Sequence, residues 1–149
     1  MLARYKSFNS TILLRDLAYE IALSVREAQV YGISVHGASG LFNYAYGVHF
    51  TPGTTYTLFA DINDNKQYDP NGAETVSSYA IGQRNQITST TDCPLTTPLV
   101  VLFKRPEPDA RFYRNDSALA ASSVCVSVSA PDGNTRTVRI WQTGQISIE

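Results

Sequence analysis

The feature that most constrains the fold is one long helical pattern, from Ser7 to Gly32, in a chain whose other apolar segments are short. At 3.6 residues per turn, one set of its side chains falls within about a third of the helix circumference. Such a face must pack on something, and the remaining chain offers a β-sheet. We expect Gly32 to end the helix, because glycine adopts positive φ at little cost. The predicted buried face comprises Leu13, Leu14, Leu17, Ile21, Ser24, Val25 and Ala28.

A second, narrower apolar line runs along the opposite side of the same helix. Folded proteins expose scattered apolar side chains, so one interpretation is an ordinary surface. The other interpretation is that the line packs against other copies or a partner in an assembly. The line comprises Tyr5, Ile12, Tyr19, Leu23 and Val30, and the last four are the candidate assembly surface.

Length, charge and motifs exclude several classes of function. The 149 residues suffice for one domain that buries about two thirds of its unfolded surface. Twelve basic and thirteen acidic residues give a net charge of -1, which supplies no global field for nucleic acid or anionic lipid. The sequence contains no GxSxG, no P-loop, no HExxH and no cysteine with a plausible histidine partner. We therefore expect a protein that is not an enzyme.

The two cysteines, Cys93 and Cys125, lie far apart in the sequence. With no CxxC and no neighbouring histidine, they fit neither a zinc site nor a redox dithiol. Two alternatives remain, a disulfide formed in an oxidising compartment or a pair of buried thiols. We favour the disulfide, which would contribute about 3–4 kcal/mol in the chain-entropy model.

The chain after the helix has the pattern of short strands separated by turns. Strand patterns occupy 33–40 and 43–50, and the turn TPGT then leads into TYTLFAD, which predicts a hairpin. ETVSSYAIG predicts a further strand, and LVVLF predicts a buried one. Segment 104–118 is expected to be an irregular connection, because Pro106 and Pro108 exclude a central strand. A β-meander with turns PDGN and TG closes the chain.

These elements predict an α+β fold in which one long N-terminal helix packs on antiparallel β-sheet. Residues 1–32 would form the helix and residues 33–149 a β-rich head, and together they would make one domain. No internal repeat and no linker divides them.

The segment DINDNKQYDPNGAE is the richest in oxygen ligands. Asp61, Asn63, Asn65 and Asp69 occupy positions 1, 3, 5 and 9 of an EF-hand-like loop, and Gln67 would offer its carbonyl. Two departures weaken the pattern: Lys66 replaces the turn glycine, and Glu74 reaches the site only if the loop bulges. The sequence thus leaves two interpretations, a weak Ca²⁺ site or a loop whose side chains cap their own backbone.

Three stretches resemble the GspH/FimT family of type II secretion pseudopilins and type IV minor pilins. The helix RDLAYEIALSVREAQVYGISV is similar to the charged amphipathic helix that precedes the family's first strand. VHFTPGTTYTLFADINDNKQYDPNGAE resembles its strand, strand and D-x-N-x-[DN]-x-x-x-D…E pattern. VRIWQTGQISIE resembles its closing hairpin, with Gly144 in the turn.

The resemblance implies a pilin-like fold and a prepilin with a leader and a hydrophobic helix N-terminal to Met1. That helix would anchor the protein in the inner membrane and then join other pilin or pseudopilin subunits in a filament. The family also implies an extracytoplasmic location. The rival interpretation is a free-standing extracellular β-rich module with Ca²⁺-dependent ligand binding.

Some FimT-like minor pilins bind DNA through a basic C-terminal hairpin. Here the tip TGQIS lacks the arginines that follow the glycine in that pattern. Neighbouring carboxylates also offset the positive charge of the basic residues. DNA is therefore a further alternative partner, and its candidate residues are Lys104, Arg105, Arg111, Arg114, Arg136 and Arg139.

Overall fold

The computed structural model describes residues 2–33, 44–82, 84–105, 107–115 and 117–149, with residues 2–8 as backbone only. Helix α1 spans Leu2–Ile33, so the predicted helix is confirmed, and it extends beyond the Ser7–Gly32 pattern at both ends. The strand predicted at 33–40 falls almost entirely outside the described residues. The strands in the described chain are β1 Ala45–Phe50, β2 Thr55–Asp61, β3 Thr75–Ala80, β4 Gln86–Thr88, β5 Leu99–Lys104, β6 Glu107–Arg114, β7 Ser117–Ala118, β8 Ser123–Ser129, β9 Thr135–Trp141 and β10 Ile146–Ile148.

The strands form two antiparallel sheets. The first has the order β3-β2-β1-β5-β6-β7, and the second has the order β10-β9-β8-β4. The predicted β1–β2 hairpin is present, with Val48 opposite Leu58. The predicted C-terminal meander is also present, and Gly144 adopts a φ of 91° in its last turn.

Helix α1 packs against strands of both sheets, mainly β1, β5 and β9. The buried side chains of Leu14, Ile21 and Val25 lie in one core with Phe50, Phe103 and other residues of the two sheets. Leu13, which the periodicity assigned to this face, is 36% exposed at its margin. The helix is therefore fixed by a core to which both sheets contribute.

The predicted fold class, α+β and pilin-like, is wrong. One helix accompanies ten strands in two antiparallel sheets within the described chain, so the fold is mostly β. The expected contact between helix and sheet is found, which makes the prediction correct only in part. Strands β4, β6 and β7 lie in segments where no strand was predicted, and they account for the difference.

The connection predicted to be irregular contains strand β6. Its pairing with β5 shifts between Leu102 and Lys104, so Pro108 lies beside a bulge. Proline is tolerated at bulges because no regular ladder donor is required there. The carbonyl of Pro108 also accepts the side-chain amide of Gln29 at 3.0 Å. Proline content therefore did not exclude a strand here.

Gly32 has a different role from the predicted one. It lies within the last turn of α1 and is not among the described glycines with positive φ. A Cβ at Gly32 would instead collide with the backbone carbonyl of Phe103. Glycine at this position lets the helix approach β5 closely.

Candidate functional site

The solvent side of α1 presents a line of large apolar side chains. Ile12 is 40% exposed, Tyr19 49%, Leu23 68% and Val30 49%. We call these four residues the helix stripe. At 100° per residue they lie opposite the buried Ile21, at the pole of the helix that faces water. The four residues proposed from the sequence are thus all exposed, whereas the side chain of Tyr5 is not described.

Polar contacts on the other side of α1 hold the helix in one rotation about its axis, with the stripe towards solvent. The Ser24 hydroxyl lies 3.0 Å from the Glu20 carbonyl oxygen, to which it donates, and 3.2 Å from the Tyr56 hydroxyl. The hydroxyl of Tyr79 donates to Glu27 at 3.2 Å. These bonds join α1 to strands β2 and β3. The orientation of the stripe is therefore a fixed property of the fold.

A groove between α1 and the last strand widens the apolar surface beside the stripe. Tyr19, Ala22, Leu23 and Arg26 line one side, and Ile146 and Ile148 line the other. No pattern in the sequence linked the final strand to the helix. Alternation of isoleucine in ISI was the only signal, and it predicted an ordinary strand.

Two arginines border the stripe. The Arg15 guanidinium lies 5.8 Å from the centre of the Tyr19 ring, a cation–π distance. The Arg26 guanidinium donates to Gln29 Oε1 at 2.6 Å and to the Gly144 carbonyl at 3.4 Å. Arg26 is nonetheless exposed. The stripe is thus an apolar line with charged edges.

The loop from Asp61 to Glu74, here called the Asx loop, is held by two buried carboxylates. Asp61 accepts the backbone N–H groups of Asn65 and Lys66, both at 3.0 Å. Glu74 accepts those of Ile62 at 3.1 Å and Asp69 at 3.0 Å. All four carboxylate oxygens therefore satisfy backbone donors, the arrangement expected of a self-capping loop.

The remaining proposed calcium ligands meet on one side of the Asx loop. The side-chain amides of Asn63 and Asn65 donate to Asp69 Oδ2 at 2.7 and 2.9 Å. Gln67 donates its backbone N–H to Asn65 Oδ1 at 2.9 Å. Lys66 adopts a φ of 66°, the left-handed conformation that glycine supplies in calcium loops.

Chemically, the Asx loop could offer a hard cation the oxygens of Asp69, Asn63 and Asn65, since the other carboxylates are engaged. In the part of the chain that the structure describes, no three histidine, cysteine, aspartate or glutamate side chains are grouped to hold a metal ion. Calcium binding by this loop stays one of the two interpretations that the sequence offers.

The Asx loop also covers the outer face of the first sheet. The ring of Tyr68 lies 5.5 Å from that of Phe59 and 5.4 Å from that of His49, measured between centroids. Phe59 is fully buried in a small second core with Val100 and Leu102. Burial lowers the pKa of His49. The packing of Tyr68 was not predicted from the sequence, because it joins a loop residue to residues of two separate strands.

Cys93 and Cys125 form a disulfide, as predicted, with their Cα atoms 5.8 Å apart. The bridge ties the turn that follows β4 to strand β8. Disulfides persist in oxidising surroundings, which indicates an extracytoplasmic compartment. Within the described residues, no helix has both the length and the apolar character needed to cross a bilayer.

The candidate DNA-binding cations are distributed over both sheets, and most of them have partners. Arg139 bonds to Glu149 at 3.0 Å, and Arg111 to Glu107 at 3.4 Å. Lys104 lies 3.7 Å from Asp64. The others are placed as follows: Arg114 donates to the Pro94 carbonyl, Arg105 follows β5, and Arg136 lies in β9. The candidates that lie in strands are thus divided between the two sheets, and DNA binding stays a prediction.

Comparisons of the chain with protein-family models, with curated proteins and with solved structures found no match.

Proposed function

We propose that this protein is a non-enzymatic structural subunit of an extracytoplasmic filament, a minor pilin or pseudopilin of a type IV pilus or type II secretion pseudopilus. The observation that carries the proposal is the two-sided helix. One face of α1 is buried in the sheets, and the opposite pole exposes the helix stripe.

An exposed apolar line of this kind needs an explanation. Single apolar side chains on a surface are common, but a contiguous series along one element marks an interaction site. Most of the large exposed hydrophobic side chains in the described chain belong to α1, and Val76 on β3 is the exception. Contact with neighbouring subunits would remove the stripe from water.

In this proposal the protein acts by assembly. A hydrophobic helix preceding Met1 anchors the subunit in the inner membrane before assembly, and α1 then contacts other pilin or pseudopilin subunits. The β-rich head supplies surface or tip contacts, with the disulfide stabilising it outside the cytoplasm. The resemblance of the helix, the Asx loop and the last hairpin to GspH/FimT proteins supports this proposal.

The gene upstream of the Met1 codon provides one test. A short leader that ends in glycine, followed by about twenty apolar residues, is the expected result because that length spans a bilayer as a helix. An ordinary secretory signal peptide would overturn the proposal and favour a free-standing extracellular module.

Substitution of the stripe provides a functional test in the source organism. Tyr19→Ser with Leu23→Ser should reduce incorporation of the subunit into sheared filaments, while the purified protein keeps its stability. Val76→Ser is the control, since Val76 is also a large exposed hydrophobic residue, at 41%, but lies on β3 and not on the helix. Equal incorporation of all variants would contradict the proposal.

A further inference from the structure

The helix stripe is part of a longer exposed face with a coiled-coil pattern. Its positions alternate three and four residues apart, which is the a/d spacing of heptads, and each of them is exposed. A seam of this spacing suits contact with one other helix along its length. The face comprises Asn9, Ile12, Asp16, Tyr19, Leu23, Arg26, Val30 and Ile33.

This face is self-complementary when it is reversed end to end about the level of Ile21. Asp16 and Arg26 lie equally far from that level on opposite sides. Reversal therefore sets the acidic residue of one copy beside the basic residue of the other. It also matches apolar with apolar at two levels, Tyr19 with Leu23 and Ile12 with Val30.

We infer that a second copy of this chain binds the helix stripe in antiparallel orientation, around a two-fold axis at the level of Ile21. Antiparallel helix pairs place an a residue opposite a d residue, and each matched pair above joins those two classes. The two copies would share two Asp16–Arg26 ion pairs, one on each side of a Tyr19–Leu23 centre. The same patch is used by both copies, so the contact closes as a dimer.

Charge selects the antiparallel arrangement over the parallel one. A parallel pair in register would place Asp16 on Asp16 and Arg26 on Arg26, and like charges across an interface are costly. Asp16 is exposed and has no ion pair among the residues described. Arg26 contacts only neutral acceptors, Gln29 and the Gly144 carbonyl. Both charges are thus available to a second copy.

One like-charge contact opposes the dimer. Glu20 lies next to the axis level, so the Glu20 side chains of the two copies would approach each other on one flank of the seam. Removing that charge should strengthen the pair. Glu20→Gln is therefore expected to lower the dissociation constant, the opposite effect to that of changing Asp16 or Arg26.

This inference concerns the free protein and does not require the filament. A closed pair would cover the helix stripe before assembly and would have to separate for the stripe to contact other subunits. If the purified chain proves monomeric, the dimer is overturned, while filament incorporation, measured in cells, is a separate result.

Sedimentation equilibrium of the purified chain over a range of concentrations tests the dimer. Asp16→Arg and Arg26→Asp should each raise the dissociation constant of the dimer by about tenfold or more. Both copies carry the substitution, so each change breaks both Asp16–Arg26 ion pairs. The double variant, Asp16→Arg with Arg26→Asp, should regain affinity because the pairs re-form with reversed sign. Glu107→Arg, on β6, is the control and should have no effect. A double variant as weak as the single ones would overturn the inference.

Oxidative cross-linking tests the orientation. A copy carrying Tyr19→Cys mixed with a copy carrying Leu23→Cys should form the mixed disulfide faster than either copy forms its own. Faster homotypic bridges would indicate a parallel pair and would overturn the antiparallel assignment.

Discussion

The buried carboxylate of Glu74 accepts the backbone N–H of Asp69 at 3.0 Å, across the width of the Asx loop. Its other oxygen accepts the N–H of Ile62, so one side chain joins the start of the loop to its second half. We expect Glu74→Gln to lower the free energy of unfolding by about 2 kcal/mol, because one charge-assisted acceptor is lost. Urea denaturation measures the change.

Glu107 is the control for this substitution. Its carboxylate is exposed and pairs with Arg111 at 3.4 Å on the surface. Glu107→Gln should change stability by less than about 0.5 kcal/mol. Equal effects of the two substitutions would show that burial of Glu74 is not what stabilises the loop.

Calcium should leave the stability of the protein nearly unchanged. The oxygens of Asp61 and Glu74 already accept backbone N–H groups, so a cation would compete with existing hydrogen bonds. A weak extracellular site has a dissociation constant of about 1 mM, and saturating it would raise the melting temperature. We therefore compare thermal unfolding in Ca²⁺ and in Mg²⁺ at matched ionic strength.

A calcium-specific rise in melting temperature would contradict this expectation. If Asp69→Asn then removed the rise, the Asx loop would be the site, because Asp69 bonds to the side-chain amides of Asn63 and Asn65. That outcome would favour the extracellular binding module.

The disulfide should supply a substantial part of the stability of the head. Cys93 and Cys125 are 32 positions apart, so the bridge closes a long loop in the unfolded chain. Replacing both by serine should lower the free energy of unfolding by about 3–4 kcal/mol. A reductant should destabilise the native protein and leave the double variant unaffected. Equal stability of the two proteins would contradict the expectation.

Tyr56 should make the fold sensitive to alkali. Burial raises its pKa to about 12, an effect that its hydrogen bond with Ser24 partly opposes. Tyrosine in the unfolded chain has a pKa of about 10. The neutral form favours folding, so this stabilisation is complete below about pH 10 and is lost as the pH rises towards 12.

Tyr56→Phe isolates the contribution of this hydroxyl. At pH 7 the variant should lose about 1 kcal/mol with the hydrogen bond to Ser24. Between about pH 10 and 12 its free energy of unfolding should fall less than that of the native protein. Parallel curves across that range would show that Tyr56 does not titrate on unfolding.

The elements set by local pattern could be predicted from the sequence. Helix α1, the β1–β2 hairpin and the closing meander each follow from periodicity and turn residues within one segment. The exposure of Leu23 follows from the same periodicity, because its position lies opposite the buried face.

Features that depend on pairing between distant segments could not be predicted. Strand β6 forms because β5 supplies its partner, and the bulge that tolerates Pro108 exists only in that pairing. The role of Gly32 depends on the approach of Phe103, and that of Tyr68 on the position of Phe59. For the same reason the fold is mostly β and not the predicted α+β, because strands β4, β6 and β7 form only through such pairing.

Photo-cross-linking at Leu23 in the source organism tests the central claim most directly. A benzophenone amino acid at this position should form covalent adducts with other filament subunits, because Leu23 has the most exposed side chain of the helix stripe. The same probe at Val76, on β3, should form few. Strong adducts from Leu23 alone are the predicted result. An absence of adducts at Leu23, or equal yields at both positions, would contradict assembly through the helix stripe.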